Sequence, residues 1–120
     1  MKIVINTINH KDQRVGEVGD YWEKDGTATF VISKMNKNYQ ALVVLHELAE
    51  YFLVKKNKIS LKAIDKFDKE FYENNNFGEA GDSKNSPYYN QHKFATKIEK
   101  MLAKELGISW DKYNKAVNSL

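Results

Sequence analysis

The sequence predicts an α+β fold: a small N-terminal sheet of about three strands, antiparallel or mixed, packed on a C-terminal helical half with one central buried helix. Three observations predict it. β-formers and a turn signal crowd the first third of the chain. From about residue 38 onward apolar residues recur at helical spacing. Residues 41–54 place eleven apolar or aromatic side chains in fourteen positions, and a helix that is hydrophobic nearly all round belongs inside a protein.

The elements follow in order. Residues 2–8 carry Ile3, Val4 and Ile5 and read as a strand; residues 10–19 are polar, contain two glycines and read as a loop. Residues 20–23 and 27–33 flank Lys24, Asp25 and Gly26. Asp-Gly between β-formers signals a hairpin, because glycine accepts the positive φ such turns need. The first helix is expected over residues 38–54, followed by lysines suited to a helix C-terminus. Ser60 reads as the N-cap of a second helix over residues 61–73, with Leu61, Ile64, Phe67 and Phe71 at helical spacing. Asp65 and Asp68 border that stripe and read as a solvated face. Residues 74–85 form a long polar loop whose place before His92 makes it a candidate lid. Ser86 and Pro87 mark the start of a third helix that ends at Gly107, and Ser109 caps a short fourth. Phe67, Phe71, Phe94 and Trp110 read as core.

A chain of 120 residues suits a single domain, 1–120, and with 42% hydrophobic and 29% charged residues it reads as globular. The absence of cysteine excludes disulfides and thiolate metal sites, leaving His, Asp, Glu and backbone oxygens as ligands. No run approaches the length of a membrane span, and the apolar stretch after Met1 is too short for a secretory signal, so the expectation is a cytoplasmic protein. The net charge of +3 is mild and Arg14 is the only arginine, so nucleic acid as a partner is weakly supported. Sequence leaves the oligomeric state open.

Chemistry concentrates in the central helix. Ionisable groups inside a protein are costly unless paired or bound to a metal, and His46, Glu47 and Glu50 fall within five residues of this apolar segment. Residues four apart on a helix stand one above the other, so His46 and Glu50 can chelate one ion. Glu47 is turned away from them and is free to act as a general base. The bland alternative is an internal ion pair between His46 and Glu50. A third ligand must come from elsewhere. His92, expected near the start of the third helix, is the first choice; Glu99, two turns later, can bind metal or orient a ligand. Glu79, Asp82 and His10 remain alternatives, and Tyr88 or Tyr89 could offer a hydroxyl to a substrate carbonyl.

With Glu50 in the last place, the segment is an H-E-x-x-E variant of the H-E-x-x-H motif, in which two helix ligands hold zinc and a glutamate acts as base. Leu45, His46, Glu47, Leu48, Ala49 and Glu50, after a small sheet and before a helical half, resemble the core of zincin-like metallopeptidases. With Asp65, Asp68, Gly81, Asp82, Pro87, Tyr88 and His92, the stretch over residues 41–113 also looks like small phage and bacterial proteins of uncharacterised function. The resemblance implies Zn²⁺ or another divalent transition metal on His46, Glu50 and His92, with Glu47 as catalytic base. It also implies a peptide or protein substrate. An edge strand, for which residues 27–33 are the first candidate, would bind an extended peptide by strand addition. The rival readings are a metal-binding domain without turnover and a metal-free interaction protein.

Overall fold

The computed structural model describes residues 1–74 and 76–120; residue 75 of the loop expected over 74–85 lies outside them. The strands are β1 (Lys2–Ile8), β2 (Gly19–Lys24) and β3 (Thr27–Ser33). They form a mixed sheet in the order β1-β3-β2, with β1 parallel and β2 antiparallel to β3. Asp25 and Gly26 both have positive φ, 50° and 76°, which makes the tight hairpin between β2 and β3. The expectation that residues 27–33 form an edge strand is wrong: β3 is central, and the edges are β1 and β2. Thr27–Ser33 is the strand most heavily buried, with Ala28, Phe30 and Ile32 at 1% exposure or less, and the least polar strand takes the middle.

Among the described residues four helices follow: α1 (Lys37–Lys56), α2 (Leu61–Glu73), α3 (Tyr89–Glu105) and α4 (Trp110–Asn118). Asn36, Ser60 and Ser109 cap α1, α2 and α4 through side-chain oxygens that accept the backbone N–H of Tyr39, Ala63 and Lys112. The start of α3 differs from expectation. Ser86 Oγ accepts the Tyr88 N–H at 3.2 Å, but this closes a turn ahead of the helix, which begins at Tyr89. Short 3-10 turns at His10–Asp12 and Ala80–Asp82 lie within the two segments read as loops.

Helix α1 is the axis of the fold. Leu42 and Val43 join Ile32, Ala103 and Tyr113 in one cluster. Tyr51 packs with Tyr21, Ala28 and Phe30 in a second, and Val54 with Ile64 and Tyr88 in a third. Buried Ala95 and Ala103 on α3 present no bulk to α1, so the two helices approach closely. Two expectations about burial fail. Phe94 is 50% exposed, and Phe67, Phe71 and Trp110 are only half-buried. Asp68, read as solvated, is 8% exposed, because the Tyr88 hydroxyl reaches it at 2.8 Å and takes it inward. No helix among the described residues is long and apolar enough to cross a membrane.

Candidate metal centre

His46 and Glu50 occupy the middle of α1, and His92 the first turn of α3. All three are buried, at 6%, 4% and 5% exposure. His46 Nε2 lies 3.1 Å from Glu50 Oε2 and 3.2 Å from His92 Nδ1, and His92 Nδ1 lies 2.8 Å from the same Glu50 oxygen. Ligand atoms around a tetrahedral zinc with bonds of about 2.0–2.1 Å stand roughly 3.3 Å apart. The three atoms therefore have nearly the spacing of one face of such a tetrahedron, and the donor set of two imidazoles and one carboxylate fits zinc. The same groups can also form a hydrogen-bonded ion cluster, which is the form in which they meet here.

Each of the two helix α1 side chains is held from behind. His46 Nδ1 pairs with Glu99 Oε1 at 2.7 Å, and the Tyr113 hydroxyl donates to the other Glu99 oxygen at 2.6 Å. The Tyr21 hydroxyl donates to Glu50 Oε1 at 2.8 Å. Such outer partners fix the ring orientation and the carboxylate rotamer that a metal requires. Glu99 thus lies behind His46 rather than on the shared side, and it supports His46, not the His92 of its own helix. The pairing of His46 with Glu99 and of Glu50 with His92 also makes α1 and α3 antiparallel.

Two glycines complete the support: Gly81, named from the sequence only within the resembling stretch, and Gly19, which was not singled out. A Cβ at Gly81 would stand 2.4 Å from His92 Cγ, and one at Gly19 2.6 Å from Glu47 Cγ. Only glycine allows the loop to lie flat against the imidazole and β2 to lie against Glu47. Gly19 and Tyr21 had a legible signal: they alternate along β2, so both face the core side. Gly81 had only its place in the resembling acidic loop; its packing against His92 is a tertiary contact that no local pattern shows.

The electrostatics are those of an acid-rich cavity. Burial alone would raise the Glu50 carboxyl, but hydrogen bonds and charge from His46 and His92 prevail and hold it down at about 2. Burial would lower both imidazoles; their carboxylate partners outweigh it and raise both well above the ordinary histidine range. Burial and the nearby Glu50 push Glu47 well up. Glu17 is also pushed up, by burial and by the charges of Asp68 and Glu47, although it accepts a 2.7 Å hydrogen bond from the Tyr72 hydroxyl. These opposed shifts have one cause: positive charge on His46 and His92 is favoured beside the Glu50 carboxylate, and partly offsets the acids gathered here. A divalent ion would supply the same positive charge.

His46, Glu47, Glu50 and His92 all line one cavity of about 560 Å³ that also reaches Val43, Trp110 and Val117. His10 is not brought to the triad; its Nδ1 pairs with Ser33 Oγ at 2.9 Å. Tyr88 spends its hydroxyl on Asp68, and Tyr89 lies under the Lys93 ammonium, 6.0 Å from the ring centre. Glu79 and Asp82 approach the far nitrogen of His92, at 2.9 and 3.1 Å from Nε2, rather than the side shared with His46.

Beside the cavity, β2 is an open edge. Ser33 N–H donates to Val18 C=O at 2.8 Å, and the antiparallel ladder alternates from there. The backbone groups of Gly19, Tyr21 and Glu23 therefore point to the free side, where the Tyr21 N–H finds the Asp20 carboxylate at 2.8 Å. Comparison with protein-family models, with curated proteins and with solved structures gave no match.

Proposed function

We propose that this chain is a zinc-dependent hydrolase of peptide or amide bonds. The observation that carries the reading is the convergence of His46 Nε2, Glu50 Oε2 and His92 Nδ1 on a cavity wall that also presents Glu47, a carboxylate outside the triad. In this reading His46, Glu50 and His92 hold the ion. Zinc so held supplies a Lewis acid that polarises a carbonyl and makes water a nucleophile at neutral pH.

The remaining work belongs to the chain. Glu47 takes the proton of the attacking water and passes it to the leaving nitrogen. Burial and the Glu50 charge raise its carboxyl above the ordinary range, the direction that strengthens a general base. Gly19 leaves room for Glu47 and holds β2 beside it, so a substrate strand pairing with the outward backbone groups of Gly19 and the Tyr21 carbonyl, and displacing Asp20 from the Tyr21 N–H, would carry its own carbonyl past the base. The apolar wall of Val43, Trp110 and Val117 would take a substrate side chain.

The rival reading, a metal staple without turnover, calls for a fourth protein ligand. Glu99, the natural candidate, is instead committed to His46 Nδ1 and to Tyr113, which favours hydrolysis. The test is Glu47→Gln in zinc-loaded protein, assayed on a mixture of quenched fluorescent peptides. Zinc content is expected to stay the same while turnover falls by roughly 10²–10⁴-fold. Equal turnover in the variant, or none in the wild type, would refute the assignment.

A further inference from the structure

The His92 ring is flanked by ligand-type atoms on both sides. Nδ1 faces His46 and Glu50, whereas Nε2 faces Glu79 Oε2 at 2.9 Å and Asp82 Oδ1 at 3.1 Å. The Nε2 atom is buried, yet it has no hydrogen-bond partner among the described residues. Both carboxylates are close enough, so the failure is one of direction. An acceptor of an N–H lies on the axis of the nitrogen. Co-ligands of a metal lie beside that axis, because the ion itself occupies it. Carboxylates this near to Nε2 but not hydrogen-bonded to it fit the second arrangement, and the three atoms lie within 4.8 Å of one another.

The acids are fixed in place by backbone. Asp82 N–H donates to Glu79 C=O at 3.1 Å in the 3-10 turn, Ala80 is fully buried, and its N–H donates to the Tyr72 hydroxyl at 3.1 Å. Gly81 packs the turn against the imidazole face. Glu79 and Asp82 keep half or more of their side chains exposed, which gives an ion a route from solvent. Charge also favours a second cation. Glu50, Glu79, Asp82 and Glu99 surround two imidazoles, so one divalent ion with neutral histidines leaves two negative charges unbalanced.

We propose that a second divalent cation binds on the outer side of His92, held by Glu79, Asp82 and Nε2, so that the imidazole bridges two ions. This rests on the inner site described above. Bridging requires the ring to lose both N–H protons, which pass to solvent as the ions bind. Glu79, Asp82 and the imidazolate supply three negative charges at the outer position. The outer ion would tie the turn at residues 80–82 to the start of α3 and so fix the ligand that the inner ion shares.

Zinc titration of chelator-stripped protein, with elemental analysis after desalting, tests this. The wild type is expected to retain two equivalents, the Glu79→Gln/Asp82→Gln double variant one, and His46→Ala one. The double variant alters exposed side chains, and circular dichroism checks its fold. Glu50→Gln replaces His46→Ala if the latter does not fold. One equivalent in the wild type, kept by the double variant and lost in His46→Ala, overturns the second ion and leaves the hydrolase reading intact. One equivalent lost in the double variant but kept in His46→Ala overturns both the bridge and the inner site. No zinc in any of them overturns both proposals.

Discussion

The two sides of the His92 ring are built differently. On the inner side, His46 and Glu50 stand on a 20-residue helix, are almost fully buried, and are each gripped by a further side chain, Glu99 or Tyr21. On the outer side, Glu79 and Asp82 stand on a 3-10 turn and are largely exposed, with only the turn's backbone holding them. Ligands on rigid, supported elements are positioned before an ion arrives, whereas exposed ones must be ordered by it. The inner side should therefore bind more tightly, and disturbing its supports should cost more than disturbing the outer acids.

The residue common to both sides gives the largest expected effect. Gly81→Ala would drive a methyl into the His92 ring, where the nearest contact is ring carbon rather than a flexible chain end. Moving the ring disturbs both sides at once. Calorimetric titration should show zinc affinity falling by more than about 100-fold, beyond the cost of losing one supporting group, with stability lowered by about 1–3 kcal/mol. Wild-type affinity in this variant would show that the ring position does not matter.

Next comes the asymmetry of support. Glu99→Gln removes the charge behind His46 and should weaken zinc binding by roughly 10–100-fold. Glu105→Gln, at the exposed end of the same helix, should leave affinity unchanged. Equal effects in the two variants would reduce Glu99 to a general field contribution.

The last effect concerns stability rather than zinc affinity. Burial pushes the Asp68 carboxyl up to about 7 from an ordinary 3.8, despite the Tyr88 hydroxyl that it accepts. The native state thus holds a proton that the unfolded chain has released, and stability from this group, complete below about pH 4, is lost as pH rises through about 7. Asp68→Asn should flatten that slope and, above pH 7, gain about 1–3 kcal/mol in urea unfolding. A slope unchanged in the variant would assign it to other groups.

Sequence patterns revealed part of this. The hairpin at Asp25 and Gly26, the helix caps Ser60 and Ser109 and the i, i+4 pairing of His46 with Glu50 are local, and local rules read them; the cap Asn36 was not read, and Ser86 closes a turn instead. His92 was reachable because the chain has only three histidines. The order of the strands was not legible: β3 is central because both β1 and β2 pair with it, and its Ala28, Phe30 and Ile32 are covered by what packs on that face. Nor was the burial of Asp68, which needs Tyr88 from another element. The contacts of Gly19 with Glu47 and of Gly81 with His92 escaped for the same reason. Each residue looks like a loop or strand-end glycine in sequence, and only the fold brings Glu47 or His92 within a methyl's reach.

The central claim is that the acid-rich heart of α1 and α3 takes a divalent cation. Chelator-stripped wild-type protein mixed with Zn²⁺ and then desalted tests it most directly. The account predicts at least one retained equivalent and a raised melting temperature, with the inner equivalent missing from His46→Ala. Wild-type protein that stays free of zinc and melts unchanged would contradict it.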